Sequence, residues 1–473
     1  MDNLTVNYIF KLGEKTFSVF GLVLVISLFL FCGEEDLKAR NCQKGNTIDR
    51  YVEESEDVES KKYIEKKLSW WQDARFGLFI HWGLYAQDGC FWNGQDGRSE
   101  HMMRILKIPI QEYSKIAKEF DPVDFDAEEW VKIAKDAGMK YLVITAKHHD
   151  GFAMFNSPSN DYNIVKQTPW KRDPLKELSD ACKKHGIKFG VYYSLGRDWH
   201  HPHCNSIGGR RSNTWDFPNE EEKDFSIYFH QKVIPQITEL MTFYKPSILW
   251  FDTPELISKE QSNELLELIQ NYNPKCIVNQ RIGNGLGDYA VREQKIPEDG
   301  EPFPWETCMT MSRSWGYHKT DNEWKSAQTI IFHLADIASK GGNLLLNVGP
   351  TGKGVFPEPS VKILKEIGAW LKVNGEAIYE TGASPLGKFD WGRCTKKIGK
   401  KINTLYLIVF NWPQDGVLHI PQIKKEIKKA QIISTKEKLK TTVSDQGLKI
   451  KLPIVAPDEI ASVIKLKIDG SLR

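Results

Sequence analysis

Short apolar runs alternating with amphipathic stretches constrain this chain most. Tyr141–Ala146 (YLVITA), Lys188–Ser194 (KFGVYYS), Ser247–Asp252 (SILWFD), Cys276–Arg281 (CIVNQR) and Asn343–Val348 (NLLLNV) each read as a strand buried on both faces. Helical spacing of apolar residues predicts helices over Phe125–Met139, Asp173–His185, Glu220–Tyr244, Ser258–Tyr272, Trp324–Ser339 and Glu358–Val373. Such alternation makes a parallel sheet with helical crossovers. A closed eight-fold barrel and an open doubly wound sheet both satisfy it. No Gly-rich phosphate fingerprint follows a strand, which argues against a dinucleotide site. Chemistry-bearing residues sit instead at the ends of several strands. His81 follows FGLFI, His148 and His149 follow YLVITAK, and Tyr193 ends KFGVYY. Asp252 ends SILWF, and Arg281 ends CIVNQ. A barrel gathers all these ends at one mouth, whereas an open sheet gathers only those beside its switch point. The fold expected over residues 61–382 is an α/β, (β/α)8-like TIM barrel.

After Gly382 the pattern changes. Thr404–Asn411, Gly416–Ile420, Ala430–Ile433, Leu448–Leu452 and Ser462–Ile468 read as strands separated by turns, with no convincing helix. Residues 383–473 are therefore expected to form a β-sandwich. From Lys388 onward there are 18 basic and 8 acidic residues, yet the whole chain carries only +2. That near balance excludes a protein whose main task is coating nucleic acid. The Lys residues of the tail alternate with apolar ones and read as a solvated face. Fifteen Trp residues suit sugar faces and large cores alike.

Phe17–Phe31 is almost wholly apolar, follows Lys11 and Lys15, and is too short for a full span. Residues 1–32 are read as an export signal and 33–60 as a polar tether. Export implies a periplasmic, cell-surface or secreted protein. Cys32, followed by Gly33-Glu34-Glu35-Asp36, offers a lipid anchor as the one route to a membrane, although Leu30-Phe31 are bulky for that processing. The eight cysteines are scattered without a CxxC pair, so neither a disulfide framework nor a zinc signature is visible.

Asp252 puts a carboxylate at the tip of a hydrophobic strand, a costly place unless it caps the next helix or has a use. His148 and His149, being adjacent, are expected to point in opposite directions and not to chelate one ion; both offer hydrogen bonds to a polyhydroxylated ligand. His200, His201, His203 and Cys204 form a second run, read as a loop lining the mouth, with a metal site as the alternative. Glu293 (DYAVREQKIP) and Glu306 (PWETCMTMSRSWGY) both fall in a long predicted loop after Arg281. Desolvation by aromatic neighbours raises a glutamate pKa, as a general acid requires.

Taken in order, WWQDARFGLFIHWGLYA, KHHDGFAMFNS, GVYYSLGRDWHHP, LWFDT, PWETCMTMSRSWGY and GGNLLLNVGPTGKG resemble the α-L-fucosidase family of retaining glycoside hydrolases, glycoside hydrolase family 29. The resemblance runs from about Leu68 to Gly382. It implies a (β/α)8-like barrel, sometimes with fewer regular helices, joined to a C-terminal β-sandwich. It implies exo-hydrolysis of terminal α-linked L-fucose with retention, a fucosylated glycan as partner, no nucleic acid, no cofactor and no metal. By motif, Asp252 resembles the nucleophile. DYAVREQ resembles the family's acid/base segment apart from Val291, which puts that role on Glu293, with Glu306 as runner-up. His81, Glu100, His148, His149, Tyr193, Trp250, Arg281 and Trp315 match positions of the sugar pocket. Where the family often reads Glu-Trp-Tyr, this chain has Glu100-His101-Met102. Two other readings remain at this level: an α-L-galactosidase on the same site, and a non-catalytic carbohydrate-binding protein.

Overall fold

The computed structural model describes residues 58–469; the export signal and residues 33–57 of the tether lie outside the described residues. Helix α1 (Val58–Ala74) begins inside the stretch read as tether. Eight parallel strands follow: β1 (Phe76–Ile80), β2 (Tyr141–Lys147), β3 (Lys188–Ser194), β4 (Ile248–Asp252), β5 (Ile277–Val278), β6 (Ala290–Glu293), β7 (Trp305–Thr310) and β8 (Asn343–Val348). They pair in the order β5-β4-β3-β2-β1-β8-β7-β6. A parallel bridge between Asn279 and Tyr289 joins the two outer strands and closes the ring. The closed barrel, not the open sheet, is the architecture.

Five helices cover the barrel: α2 (Ala127–Asp136), α3 (Pro174–His185), α4 (Ile234–Phe243), α5 (Lys259–Tyr272) and α6 (Ala327–Ser339), with α7 (Glu358–Asn374) after β8. Their starts follow local chemistry. The Asp126 and Asp173 carboxylates accept the Glu129 and Lys176 backbone N–H groups, and Ser258 with Gln261 forms a capping box. No long helix follows β5 or β6. The helix expected over Glu220–Tyr244 runs continuously over 225–243 but starts later than expected, and it widens into a π turn at Phe229–Val233 just before Pro235, whose ring removes one i→i−4 bond. The long loop expected after Arg281 in fact contains β6 and β7.

Side chains alternate along each strand, and one set fills the barrel. Phe79, Tyr141, Val143, Tyr192, Ile248, Trp250, Tyr289, Val291, Cys308 and Leu345 form that core, with Leu68 and Trp71 of α1 in the same cluster. Trp71 packs on Tyr289 at 4.5 Å. Continuing the alternation by two residues puts His81, Ser194, Asp252, Glu293 and Asn347 on the inward set at the C-terminal ends.

The C-terminal domain has strands β9 (Gly392–Lys397), β10 (Ile402–Val409), β11 (Val417–Ile420), β12 (Ile427–Ile432), β13 (Thr441–Ser444), β14 (Gly447–Lys451) and β15 (Ser462–Asp469). They form antiparallel sheets β9-β10-β15-β12 and β11-β14-β13 around one apolar core, a β-sandwich as expected. It rests on α6 and α7: Trp370 Nε1 donates to Ala461 O at 2.9 Å, and Arg393 pairs with Asp336.

Candidate active site

Asp252 ends β4 with its carboxylate held on both sides. Tyr192 Oη donates to Oδ2 at 2.8 Å. Arg281 Nη1 donates to Oδ1 at 2.6 Å. The Thr253 N–H also reaches Oδ1 at 2.9 Å, from a residue at φ 57°. A β-branched residue in that conformation is strained, and such strain gathers at functional sites. The bend brings the Thr253 carbonyl against Gly196, where any Cβ would approach it to 1.9 Å. Burial alone would push the Asp252 pKa up; Arg281, Tyr192 and Arg197 outweigh it and hold the carboxyl below its ordinary range.

Arg281 extends the arrangement. Its Nη2 donates to Glu293 Oε2 at 2.8 Å, so one guanidinium forks between two carboxylates. Burial would lower the Arg281 pKa, but Asp252 and Glu293 overcome that and raise it. The guanidinium also lies 5.1 Å above the Trp250 ring.

Three histidines line the same end. His81 Nδ1 lies 2.7 Å from Asn347 Oδ1, while Asn347 Nδ2 donates to the Trp315 carbonyl at 2.7 Å. That fixes the amide, so His81 Nδ1 carries the proton and Nε2 keeps its lone pair. Ser194 Oγ donates to Arg197 O and lies 2.6 Å from His149 Nδ1. The hydroxyl must therefore accept from His149 Nδ1–H, leaving Nε2 an acceptor 3.9 Å from Asp252. Burial lowers the pKa of all three histidines, His148 and His149 furthest, so the rings are neutral. The His148 and His149 rings lie only 4.1 Å apart. They do not point oppositely, because the strand ends at Lys147 and the chain turns.

Glu100 is 2 % exposed and accepts the Gly316 N–H at 3.1 Å. The Trp315 ring sits 5.0 Å from His81. Tyr193, by contrast, does not line this site. It faces outward, donating to Gln236 Oε1 at 2.8 Å; alternation makes Tyr192 the inward tyrosine. Trp250 lies beneath the site, its Nε1 donating to Glu306 Oε1 at 3.0 Å. Glu306 is fully buried in the lower barrel, in register with Asn343 at the start of β8, and Tyr141 Oη donates to it at 2.6 Å. Burial pushes its carboxyl up to about 7. Among the described residues no group of three His, Cys, Asp or Glu side chains is placed to hold a metal ion. His200 stacks on Tyr162 and His201 packs near Tyr228, away from the three pocket histidines. Sequence reasoning missed Tyr192, Ser194 and Asn347, all of which strand alternation places inward.

Two carboxylates forked by one arginine, beside neutral histidines at a barrel mouth, are equipped for glycosidic bond cleavage. The α-L-fucosidase family model matches residues 39–376, and the α-L-fucosidase C-terminal domain model matches 393–468. The chain belongs to the α-L-fucosidase family. Like its relatives, it is a glycoside hydrolase acting on fucose. Human tissue α-L-fucosidase is 30% identical over 93% of this chain and 96% of its own length. α-L-Fucosidase isoenzyme 1 from Paenibacillus thiaminolyticus superposes with a TM-score of 0.80 at 34% identity, covering 86% of this chain and 100% of its own. A family 29 α-L-fucosidase from Bacteroides thetaiotaomicron, solved as a trapped covalent intermediate with 2-fluoro-fucosyl fluoride, gives 0.77 at 29% identity, covering 86% and 96%.

Proposed function

We propose that this fucosidase removes terminal α-linked L-fucose from glycans with retention of configuration, Asp252 acting as nucleophile and Glu293 as general acid and then base. The observation that carries the reading is the Arg281 fork, which sets Asp252 and Glu293 on either side of one guanidinium. A retaining mechanism needs two carboxyls about 5–5.5 Å apart, one attacking the anomeric carbon and one protonating the departing oxygen. Arg281 and Tyr192 keep Asp252 ionised for attack. Glu293, 44% exposed at the mouth, must leave Arg281 and carry a proton when a glycan arrives. Once the nucleophile's charge passes into the glycosyl ester, Glu293 deprotonates water for the second step. Neutral His81 and His149 each present an Nε2 acceptor to a sugar hydroxyl. Glu100 adds a carboxylate, and the half-buried Trp315 offers an apolar face to the 6-deoxy methyl.

Glu306 serves a different end, tying Tyr141 and Trp250 together under the pocket floor. Leaving-group dependence separates the two glutamates. Glu293→Ala is expected to cripple hydrolysis of a fucosyl disaccharide, spare the first step on nitrophenyl fucoside, and give the retained azide adduct. Glu306→Ala is expected to weaken both substrates equally. The reverse pattern exchanges the roles. We also propose export, on the apolar run Phe17–Phe31, with Cys32 as the residue that would carry any lipid anchor. Intact-mass analysis of protein from its host showing Met1–Phe31 retained refutes it.

A further inference from the structure

A cleft beside the site is walled by positive charge. His101, Arg104, Arg197, Arg210 and Arg211 line an open depression of about 330 Å³, near the low end for small-molecule sites, on the order of 300 Å³. One carboxylate answers the four guanidiniums: Glu255 Oε1 pairs with both Arg197 and Arg211. Among the described residues no carboxylate pairs with Arg104 or Arg210. Like charges so close repel. Burial lowers the Arg104 pKa, and Arg197 and Arg211 lower it further. Arg104 and Arg210 thus present guanidinium donors to the open cleft with no carboxylate to answer them, an arrangement that receives an anion.

The cleft shares a wall with the fucose pocket. The His101 ring lies 5.2 Å from that of His149 and 6.2 Å from that of His148. The Arg197 carbonyl accepts the Ser194 hydroxyl that orients His149. We infer that this cleft is a subsite for an anionic substituent, a sulfate ester or a carboxylate, carried by the fucosylated glycan. This rests on the fucosidase reading and narrows its substrate class. Guanidinium forks match both oxyanions bidentately, and a field of this sign also raises the rate of encounter with anionic glycans.

A matched panel of four substrates tests it: a neutral fucosyl disaccharide, the same with sulfate on the fucose, with sulfate on the neighbouring sugar, and with that sugar as a uronic acid. At least one anionic member is expected to exceed the neutral one in kcat/KM by about tenfold or more, the worth of one charge-assisted hydrogen bond. The member that leads identifies the source of the charge. In Arg104→Ala/Arg210→Ala that advantage disappears while the neutral substrate is cleaved as before, and in wild type it shrinks as salt rises. Arg210→Ala alone, at an exposed position, serves if the double variant folds poorly. Calorimetric binding of the same panel to Asp252→Asn reads the cleft without turnover and is expected to show the same preference. Equal or weaker handling of every anionic member overturns the inference, as does an advantage that survives both variants. Neutral substrate cleaved normally in that case leaves the fucosidase reading intact, whereas no cleavage of any member by wild type strikes at that reading itself.

Discussion

Replacing Tyr192 with Phe tests which tyrosine of the Tyr192-Tyr193 pair serves the chemistry. Tyr192 Oη donates to Asp252 Oδ2 at 2.8 Å, in a position that is buried. A hydrogen bond to a charged group contributes about 1.5–3 kcal/mol, and it favours the ionised carboxylate only. Its loss leaves burial, which already pushes Asp252 up, opposed by Arg281, Arg197 and the Thr253 N–H. The nucleophile is active when ionised, so the acid limb of the kcat/KM profile moves to higher pH. Below that limb the loss is about 10- to 150-fold, from the same 1.5–3 kcal/mol at about 1.4 kcal/mol per decade. Above it the loss is smaller, because Arg281 still keeps the carboxylate charged. Tyr193→Phe has another outcome. It strands the buried Gln236 Oε1, which costs about 1–3 kcal/mol of stability and leaves the pH profile in place. The assay is kcat/KM against pH on nitrophenyl fucoside, with thermal unfolding alongside. An unmoved acid limb in Tyr192→Phe, or a moved one in Tyr193→Phe, refutes the reasoning.

Asp252→Gly is expected to fold normally, lose several orders of magnitude in kcat, and regain turnover with azide as the inverted β-azide; near-normal activity in the purified variant counts against the nucleophile. Glu306 in the fold binds its proton more tightly than in the unfolded chain, at about 7 against 4.5. Its stabilising contribution is complete below the lower value and is lost as pH rises through the upper one. Relative to Glu306→Gln, wild type therefore loses up to about 3 kcal/mol across that range. Denaturant melts showing a constant difference contradict this. Asn347→Ala removes a buried amide and leaves His81 Nδ1 and the Trp315 carbonyl without their partner; it is expected to raise KM and to cost about 1–3 kcal/mol of stability, and an unchanged KM argues against His81 as a hydroxyl acceptor.

The regular part of the barrel was legible because buried parallel strands are written as continuous apolar runs. β3 and β8 match their expected bounds, and β2 and β4 differ by one residue. β6 and β7 were hidden for a functional reason. Their inward positions carry Glu293 and Glu306, and no long helix separates β5 from β6 or β6 from β7 to announce a crossover. Apolar periodicity fails where a strand turns polar side chains into the barrel. The same alternation, applied to β3 from its register with β4, separates Tyr192 from Tyr193 and needs the pairing partner to do so. The histidine pair was misread because alternation was carried past the end of β2. In the sandwich, β9 and β13 escaped notice because their sequences, GRCTKK and TTVS, hold few apolar residues.

The identity of the nucleophile is tested most directly by trapping. Incubating the enzyme with 2-fluoro-fucosyl fluoride, digesting it and sequencing the modified peptide by mass spectrometry locates the ester bond. The account predicts one fluorofucosyl group per chain, on Asp252, accumulating further in Glu293→Ala. A label on Glu293 or Glu306, or none despite turnover, contradicts it.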